Sequence, residues 1–452
     1  MIPDFRKKTI VVVGAGRTGL ALTRFFLDRG AKVVLSDSRP AGRIIGLEEL
    51  DGSGVALDLG GHTPSLFKGA DLVAISPGVP LTVPAVAEAM AAGVQVAGEV
   101  DIAFGELRAP LVGVTGTNGK STTTVLMGSV FETWGKKVFV GGNLGTPVIE
   151  AVERPWDWLV VELSSFQLEA IRDFRPRYGL LLNISEDHLD RYPDMAAYVA
   201  AKMRMFENMS AGDVAVLNAE DPMVVELAGI LRPGKVWFSS QRVLERGMGC
   251  EGREIVWRME GVEERFAVDD LRLKGEHNVE NVMAALIPPL LEGCPPRTAW
   301  RAVCAFAGLE HRMEVVRTLD GVTWYNDSKG TNVGSVVKSL AGLAAPVTLI
   351  AGGRDKGGDY APLAAALQDK VTRLVLIGEA AGRLEAALGD LAHTSRAASL
   401  QEAVYRAREL TPVGGSVLFS PGCSSFDMFA NFAERGRAFT RAVMELPERE
   451  AV

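Results

Sequence analysis

Apolar residues in this chain gather into short unbroken runs rather than alternating with polar ones. Thr9–Val13, Leu111–Val114 and Val347–Ile350 each lead into glycines: Gly14–Gly19 (GAGRTG), Thr115–Thr122 (TGTNGKST) and Ala351–Asp359 (AGGRDKGGD). A continuous apolar run that ends in a glycine turn predicts a strand buried on both faces, as in parallel sheets. After the first two turns the spacing becomes helical. Val33–Ser36, Leu72–Ile75, Trp158–Glu162, Gly179–Asn183, Val214–Asn218, Leu374–Ile377 and Val417–Ser420 predict further strands. Most alternate with helical stretches such as Met195–Phe206 and Arg297–Phe306, which predicts doubly wound α/β sheets. Trp237–Phe266 breaks the alternation and reads as short strands and loops in a side insertion.

Length changes this picture by dividing it. At 452 residues the chain is too long for one core. We expect three domains, 1–106, 107–309 and 310–452, with junctions near Phe104–Pro110 and Gly308–Arg312. A composition of 47% hydrophobic and 23% charged residues is that of an ordinary globular protein. The net charge of −8 argues against a nucleic-acid surface, which clusters Lys and Arg, but leaves room for a local phosphate pocket. Cys250, Cys294, Cys304 and Cys423 are scattered without a CxxC pair, so neither a disulfide framework nor a zinc site is expected. Arg6, Lys7 and Lys8 precede only Ile10–Val13, too short for a signal peptide. No apolar stretch reaches the roughly 18 to 20 residues that span a bilayer. The expected location is the cytoplasm, without membrane insertion.

Gly14-Ala15-Gly16-Arg17-Thr18-Gly19 is a full GxGxxG between strand and helix, and Asp37 ends the next strand, placed to meet a ribose hydroxyl. Such glycines let a diphosphate approach a helix N-terminus, which fits a nicotinamide dinucleotide or a UDP group equally. The bland alternative is a turn that only packs helix on strand. The strongest signal is Thr115–Thr122. Backbone N–H groups of Gly116, Thr117, Asn118 and Gly119 are expected to cradle phosphates, with Lys120 reaching the β/γ oxygens and the Ser121 hydroxyl offered to Mg²⁺. Val114 stands where a strict P-loop has glycine, so this is a variant loop.

Glu162 closes an apolar strand, where α/β sheets bind ligands and where a carboxylate can hold Mg²⁺; a solvated strand end is the competing reading. His188 lies among Glu186, Asp187 and Asp190, although a lone histidine is more often structural. His62 and His393 lack such a context and read as surface residues. Lys202 shares a helical stripe with Met195, Tyr198, Val199 and Phe206, where a lysine usually snorkels to water. Asn326–Asn332 and Ser420–Asp427 follow strands and suit a substrate pocket, though loops are polar anyway.

Taken in order across nearly the whole chain, these motifs resemble the Mur ligase family. GTNGKST, Glu162, the His188 segment, Lys202, Gly275–Asn278 (GEHN) and His311-Arg312 carry the family likeness. ELSSFQL at Glu162–Leu168, EDHLDRY at Glu186–Tyr192, DSKGTN at Asp327–Asn332 and SPGCSSFDMFANFAERG at Ser420–Gly436 narrow it to the member that adds D-glutamate. The resemblance implies three α/β domains: a Rossmann-like N-terminal domain, a P-loop ATPase-like central parallel sheet and a Rossmann-like C-terminal domain. It implies ATP-dependent addition of D-glutamate to UDP-N-acetylmuramoyl-L-alanine through an acyl phosphate, by a monomer.

By the same resemblance, Gly14, Gly16, Arg17, Thr18, Asp37, Ser38, Arg39, Ser76 and Gly78 hold UDP, displacing the nicotinamide reading. Asn143 and His188 face the muramoyl group. Gly116–Thr122 bind ATP with Asn278, Arg312 and Asp327, while Thr331, Lys356, Ser425 and Phe432 receive D-glutamate. Ser121 and Glu162 hold one Mg²⁺, and His188 with a CO₂-derived carbamate on Lys202 holds a second. Lys120, Glu162, His188 and Lys202 are the expected catalytic residues. A sister ligase, including the folylpolyglutamate type, a nicotinamide dehydrogenase and a P-loop switch or transport module are the competing readings.

Overall fold

A computed structural model describes residues 4–448 except 190, 274, 356–358 and 369. The unbroken apolar runs form strands because each is covered on both faces. Thr9–Val13 is central in a parallel sheet ordered Ala56–Leu59, Lys32–Asp37, Thr9–Val13, Leu72–Ile75, Gln95–Gly98. Its residues Ile10 to Val13 are at most 1% exposed, so no polar position survives in the run.

The second sheet runs Val262–Ala267, Glu254–Met259, Gly247–Glu251, Gly234–Phe238, Val214–Asn218, Tyr178–Leu181, Leu111–Thr115, Trp158–Glu162, Val138–Gly142. Strand pairing is parallel from Val138–Gly142 as far as Gly247–Glu251, and the last two pairings are antiparallel. Here the expectation for Trp237–Phe266 is corrected. That stretch is no side insertion: Trp237 and Phe238 pair with Gly247 and Met248, so its strands extend the sheet edge.

The third sheet is ordered Glu314–Leu319, Val322–Asn326, Ser416–Phe419, Val347–Gly352, Val371–Ile377, His393–Arg396, parallel except for the first pair. Leu349, Leu376 and Val336 build the core on one face, and Ile350, Trp324 and Phe439 build it on the other.

Two element ends differ from expectation. Met195–Phe206 is an α-helix only over Met195–Met203, followed by a 3₁₀ turn at Arg204–Phe206. Tyr198, Lys202 and Phe206 are still all buried. The strand expected at Gly179–Asn183 ends at Leu181, because Asn183 turns to bond the glycine loop instead of a neighbouring strand.

The chain divides into two compact units. The first runs to Ile184 and includes Tyr198–Asp269 and Glu280–Cys304, so it contains the first two sheets. The second comprises Ser185–Ala197, Asp270–Val279 and the chain from Ala305, and contains the third sheet. Inside the first unit, the helix Glu99–Glu106 joins its two sheets. Asp101 Oδ1 accepts from the N–H groups of Arg172, Asp173 and Phe174 at 3.0, 2.8 and 2.8 Å. Glu99 Oε1 accepts from Ile149 N–H at 2.7 Å. Among the described residues, no helix is long and apolar enough to cross a membrane.

Candidate active site

The loop after Leu111–Thr115 is shaped by steric need. Gly116 has φ +145° and Gly119 φ +88°. A Cβ on Gly119 would stand 2.3 Å from Asn281 Oδ1, so a side chain is excluded there by both strain and contact. Asn183 brackets the loop: Oδ1 accepts from Asn118 N–H at 2.8 Å, Nδ2 donates to Asn118 O at 3.1 Å, and its carbonyl accepts from Thr117 N–H at 3.0 Å. The helix Lys120–Thr133 starts directly after the loop, and Ser121 and Thr122 are buried at that start.

Lys120 Nζ donates to Gly116 O and Thr117 O, both at 2.9 Å. Lys202 Nζ donates to the same Gly116 O, also at 2.9 Å. It is 2% exposed, so the snorkelling reading fails. Tyr198 holds this arrangement, with its hydroxyl 3.1 Å from Thr117 Oγ1 and its ring 4.6 Å below Lys202 Nζ. Glu162 is 2% exposed, not a solvated strand end; Asn143 Nδ2 donates to its Oε1 at 2.7 Å. Lys120, Ser121, Asn143, Glu162 and Lys202 all belong to the first unit.

At the first sheet, Gly14 has φ +91°, and a Cβ there would meet Val79 Cγ2 at 2.8 Å. Gly19 packs against the carbonyl of Gly14, whereas a Cβ on Gly16 would enter open space. Ser76 Oγ donates to Gly14 O at 2.9 Å, tying two of the expected UDP segments together. Asp37 accepts from Ala15 N–H at 2.7 Å and pairs with Arg39. Burial pushes its carboxyl up, but Arg39 and the two N–H donors outweigh that and hold it at about 2. His62 is not a bare surface residue: its Nδ1 lies 2.8 Å from Ser36 Oγ.

The second unit collects the other expected residues. Asp327 is buried, with Oδ2 accepting from Ser339 Oγ and Ser420 Oγ at 2.7 Å each. Burial raises its carboxyl above the ordinary range, opposed by the Arg312 charge and these hydroxyls. Asn278 is buried, and beside it burial drives His277 down to about 4. His188 takes φ +57°, and its N–H donates to Asp187 Oδ1 at 2.9 Å. A cavity of about 180 Å³ is lined by Glu186, Asp187, His188, Thr331, Asn332 and Tyr360, among others. Thr331 and His188 thus share one cavity, while Ser425 and Phe432 are not among its described lining residues. Ser425 is buried, and the Phe432 ring has Lys329 Nζ at 5.0 Å. Lys356 lies outside the described residues.

Among the described residues, no three His, Cys, Asp or Glu side chains cluster as a metal centre. The donors nonetheless fit a hard cation in part. The Ser121 hydroxyl and the Glu162 carboxylate are oxygen ligands of the kind Mg²⁺ takes, whereas an ammonium on Lys202 is not a ligand at all. Sequence reasoning missed the roles of Asn183 and Asn281. The one hint was Asn281, the last polar position before the helix turns wholly apolar over Val282–Leu291.

Three family descriptions match the chain. "Mur ligase MurD-like, N-terminal domain" matches 8–98, "Mur ligase middle domain" 114–288, and "Mur ligase, glutamate ligase domain" 311–423. The UDP-N-acetylmuramoylalanine–D-glutamate ligase of Syntrophotalea carbinolica is 63% identical over 444 residues, covering 98% of this chain and 99% of that protein. The enzyme of the same name from Geotalea uraniireducens is 50% identical over 448 residues, with 98% and 99% covered. Among solved structures, the UDP-N-acetylmuramate-alanine ligase of Thermotoga maritima superposes with a TM-score of 0.62 at 20% identity, covering 97% and 99% of the two chains. MurF of Acinetobacter baumannii also gives 0.62, at 15% identity with 98% and 92% covered. At these identities the two structures speak for the fold.

Proposed function

The chain belongs to the Mur ligase family, and from that premise we propose that it joins D-glutamate to UDP-N-acetylmuramoyl-L-alanine at the cost of ATP, a cytoplasmic step of peptidoglycan synthesis. The observation that carries the choice of substrate is the 63% identity, which extends over 98% of the chain. The glycine loop supports the ATP side of the reaction.

A carboxylate is a poor electrophile, so the γ-phosphoryl of ATP passes to the alanyl carboxylate, giving an acyl phosphate and ADP. The Thr117 and Asn118 N–H groups, expected to cradle phosphates, are taken by Asn183. The N–H groups of Gly119 and of the helix start at Lys120, with the Lys120 ammonium, therefore hold the phosphates and offset the charge of two anions brought together. Bound Mg²⁺ supplies further neutralisation, and Ser121 and Glu162 are the residues that would hold it. The amine of D-glutamate attacks the acyl carbon, a tetrahedral intermediate forms, and inorganic phosphate leaves with the amide made and a proton released.

UDP lies at Gly14–Gly19, Asp37–Arg39 and Ser76–Gly78. Asn143 and His188 face the muramoyl group, and Asn278, Arg312 and Asp327 face the nucleotide. Thr331, Lys356, Ser425 and Phe432 receive D-glutamate. Lys202 acts as a carbamate: CO₂ adds to the neutral amine, a proton leaves, and the product offers two oxygen ligands with one negative charge. The sharing of Gly116 O supports this, because each nitrogen lies 2.9 Å from that one oxygen. Two ammonium groups within about 6 Å of each other at an effective dielectric of about 20 repel by roughly 3 kcal/mol or more.

Phosphate release measured with UDP-N-acetylmuramoyl-L-alanine, ATP and a panel of amino acids tests the reading. D-glutamate should be preferred. Equal turnover with L-glutamate or a diamino acid overturns the substrate assignment, and hydrolysis indifferent to any amino acid overturns the ligase.

A further inference from the structure

Asn332 ends the DSKGTN segment and is buried, yet neither the motif nor the chemistry above gives it a task. Its side-chain amide serves two partners at once. Oδ1 accepts from Ser335 N–H at 2.8 Å and so caps the helix Val333–Ala341. Nδ2 donates at 2.9 Å to Asp187 Oδ2, far away in sequence. Asp187 in turn receives the N–H of His188 on Oδ1, and its Oδ2 stands 3.7 Å from His188 Nε2. His188 is held in the left-handed region at φ +57°, a conformation a non-glycine residue keeps only when its surroundings over-determine it. Arg191 and Tyr192 N–H groups both close on His188 O at 3.0 Å, completing the turn. Asp187, His188, Thr331 and Asn332 line the same cavity.

Capping alone does not require this residue, because Asp or Ser caps a helix as well as Asn. Joining the cap to a carboxylate does: a side-chain amide accepts with its oxygen and donates with its nitrogen, whereas a carboxylate only accepts. We propose that Asn332 is a positioning residue for the ligase reaction, fixing the Asp187–His188 turn on the Thr331 side of the cavity so that His188 meets substrate in a preset orientation. The consequence for turnover rests on the D-glutamate reading; the contact itself does not.

Asn332→Asp separates capping from positioning. It keeps the acceptor for Ser335 N–H, removes the donor and sets a like charge against Asp187. With the cap kept, the melting temperature should fall by no more than several degrees, the share of the lost contact alone, and the KM for ATP should not move. The kcat with D-glutamate should fall about tenfold or more, the usual loss with one charged hydrogen bond. Exchange of the His188, Arg191 and Tyr192 amides should quicken by about tenfold or more, while the Ser335 amide stays protected. Adding Asp187→Asn lets an amide at 187 donate to the carboxylate at 332, and should restore both slow exchange and most of the lost kcat. Unchanged kcat and exchange in Asn332→Asp overturn the proposal, as does a double variant no better than the single one. A parent enzyme without D-glutamate-dependent phosphate release overturns the substrate reading instead, since the exchange rates report the contact with no substrate present.

Discussion

A lysine on the apolar stripe of a helix ordinarily carries its ammonium out to water, but Lys202 ends in the interior on the carbonyl that Lys120 also uses. Its proposed carbamate is testable without relying on turnover. With ¹³C-bicarbonate, the wild-type enzyme should show one carbamate carbon resonance that is absent from Lys202→Ala. The variant should lose most activity, and acetate or another short carboxylate should restore part of it by supplying the missing oxygens. A variant as active as wild type would sink the idea, as would a wild-type spectrum without that resonance. Lys356 belongs to the same scale. If it pairs with a glutamate carboxylate, Lys356→Ala should raise the D-glutamate KM at least about tenfold, since one charged hydrogen bond is worth about 1.5–3 kcal/mol. Nucleotide affinity, read by titration, should stay as it was; a fall in ATP affinity with an unmoved glutamate KM contradicts the assignment.

Among the elements, the strand–loop–helix unit Leu111–Thr133 shows why its glycines are needed where they stand. Alanine at Gly119 would have to adopt φ +88° and place its methyl against Asn281 Oδ1. Strain of this kind costs about 1–3 kcal/mol. Gly119→Ala should therefore lower the melting temperature and weaken ATP binding together. Adding Asn281→Ala removes the contact but not the backbone strain, so the double variant should recover part of the lost stability. Full recovery shows that the contact alone mattered; no recovery shows that the strain did. The strand and the loop were legible in the sequence, because an apolar run meeting glycines is a local pattern. Asn183, which holds the loop, and Asn281, which stands against Gly119, were not. Their side chains come from segments far along the chain, and no local period marks which distant amide reaches which N–H.

In the whole molecule, the helix Glu99–Glu106 joins the two sheets of the first unit, and it carries a buried acid. Burial pushes Glu99 up to about 7, against the N–H groups of Ile149 and Val148, and its Oε2 has no hydrogen-bond partner among the described residues. The folded pKa lies above the unfolded value of 4.5, so the folded state favours the neutral acid. The contribution of Glu99 to stability should then be full below about pH 4.5 and decline as pH rises toward 7, by about 3 kcal/mol. Glu99→Gln mimics the neutral acid and should flatten this decline: little change against wild type at pH 5, a higher melting temperature at pH 8. A variant that is destabilised equally at both values contradicts the burial argument. By itself the sequence determined the parallel sheets, the glycine turns and the order of the motifs, because side-chain period and turn chemistry act over a few residues. Tertiary structure alone decided that Trp237–Phe266 extends a sheet, that Ser185–Ala197 and Asp270–Val279 join the unit of the third sheet, and that Asn332 reaches Asp187. Those outcomes depend on which edge, core or carboxylate a segment meets once the chain is compact, and a polar side chain in a loop has many partners available until packing leaves it one.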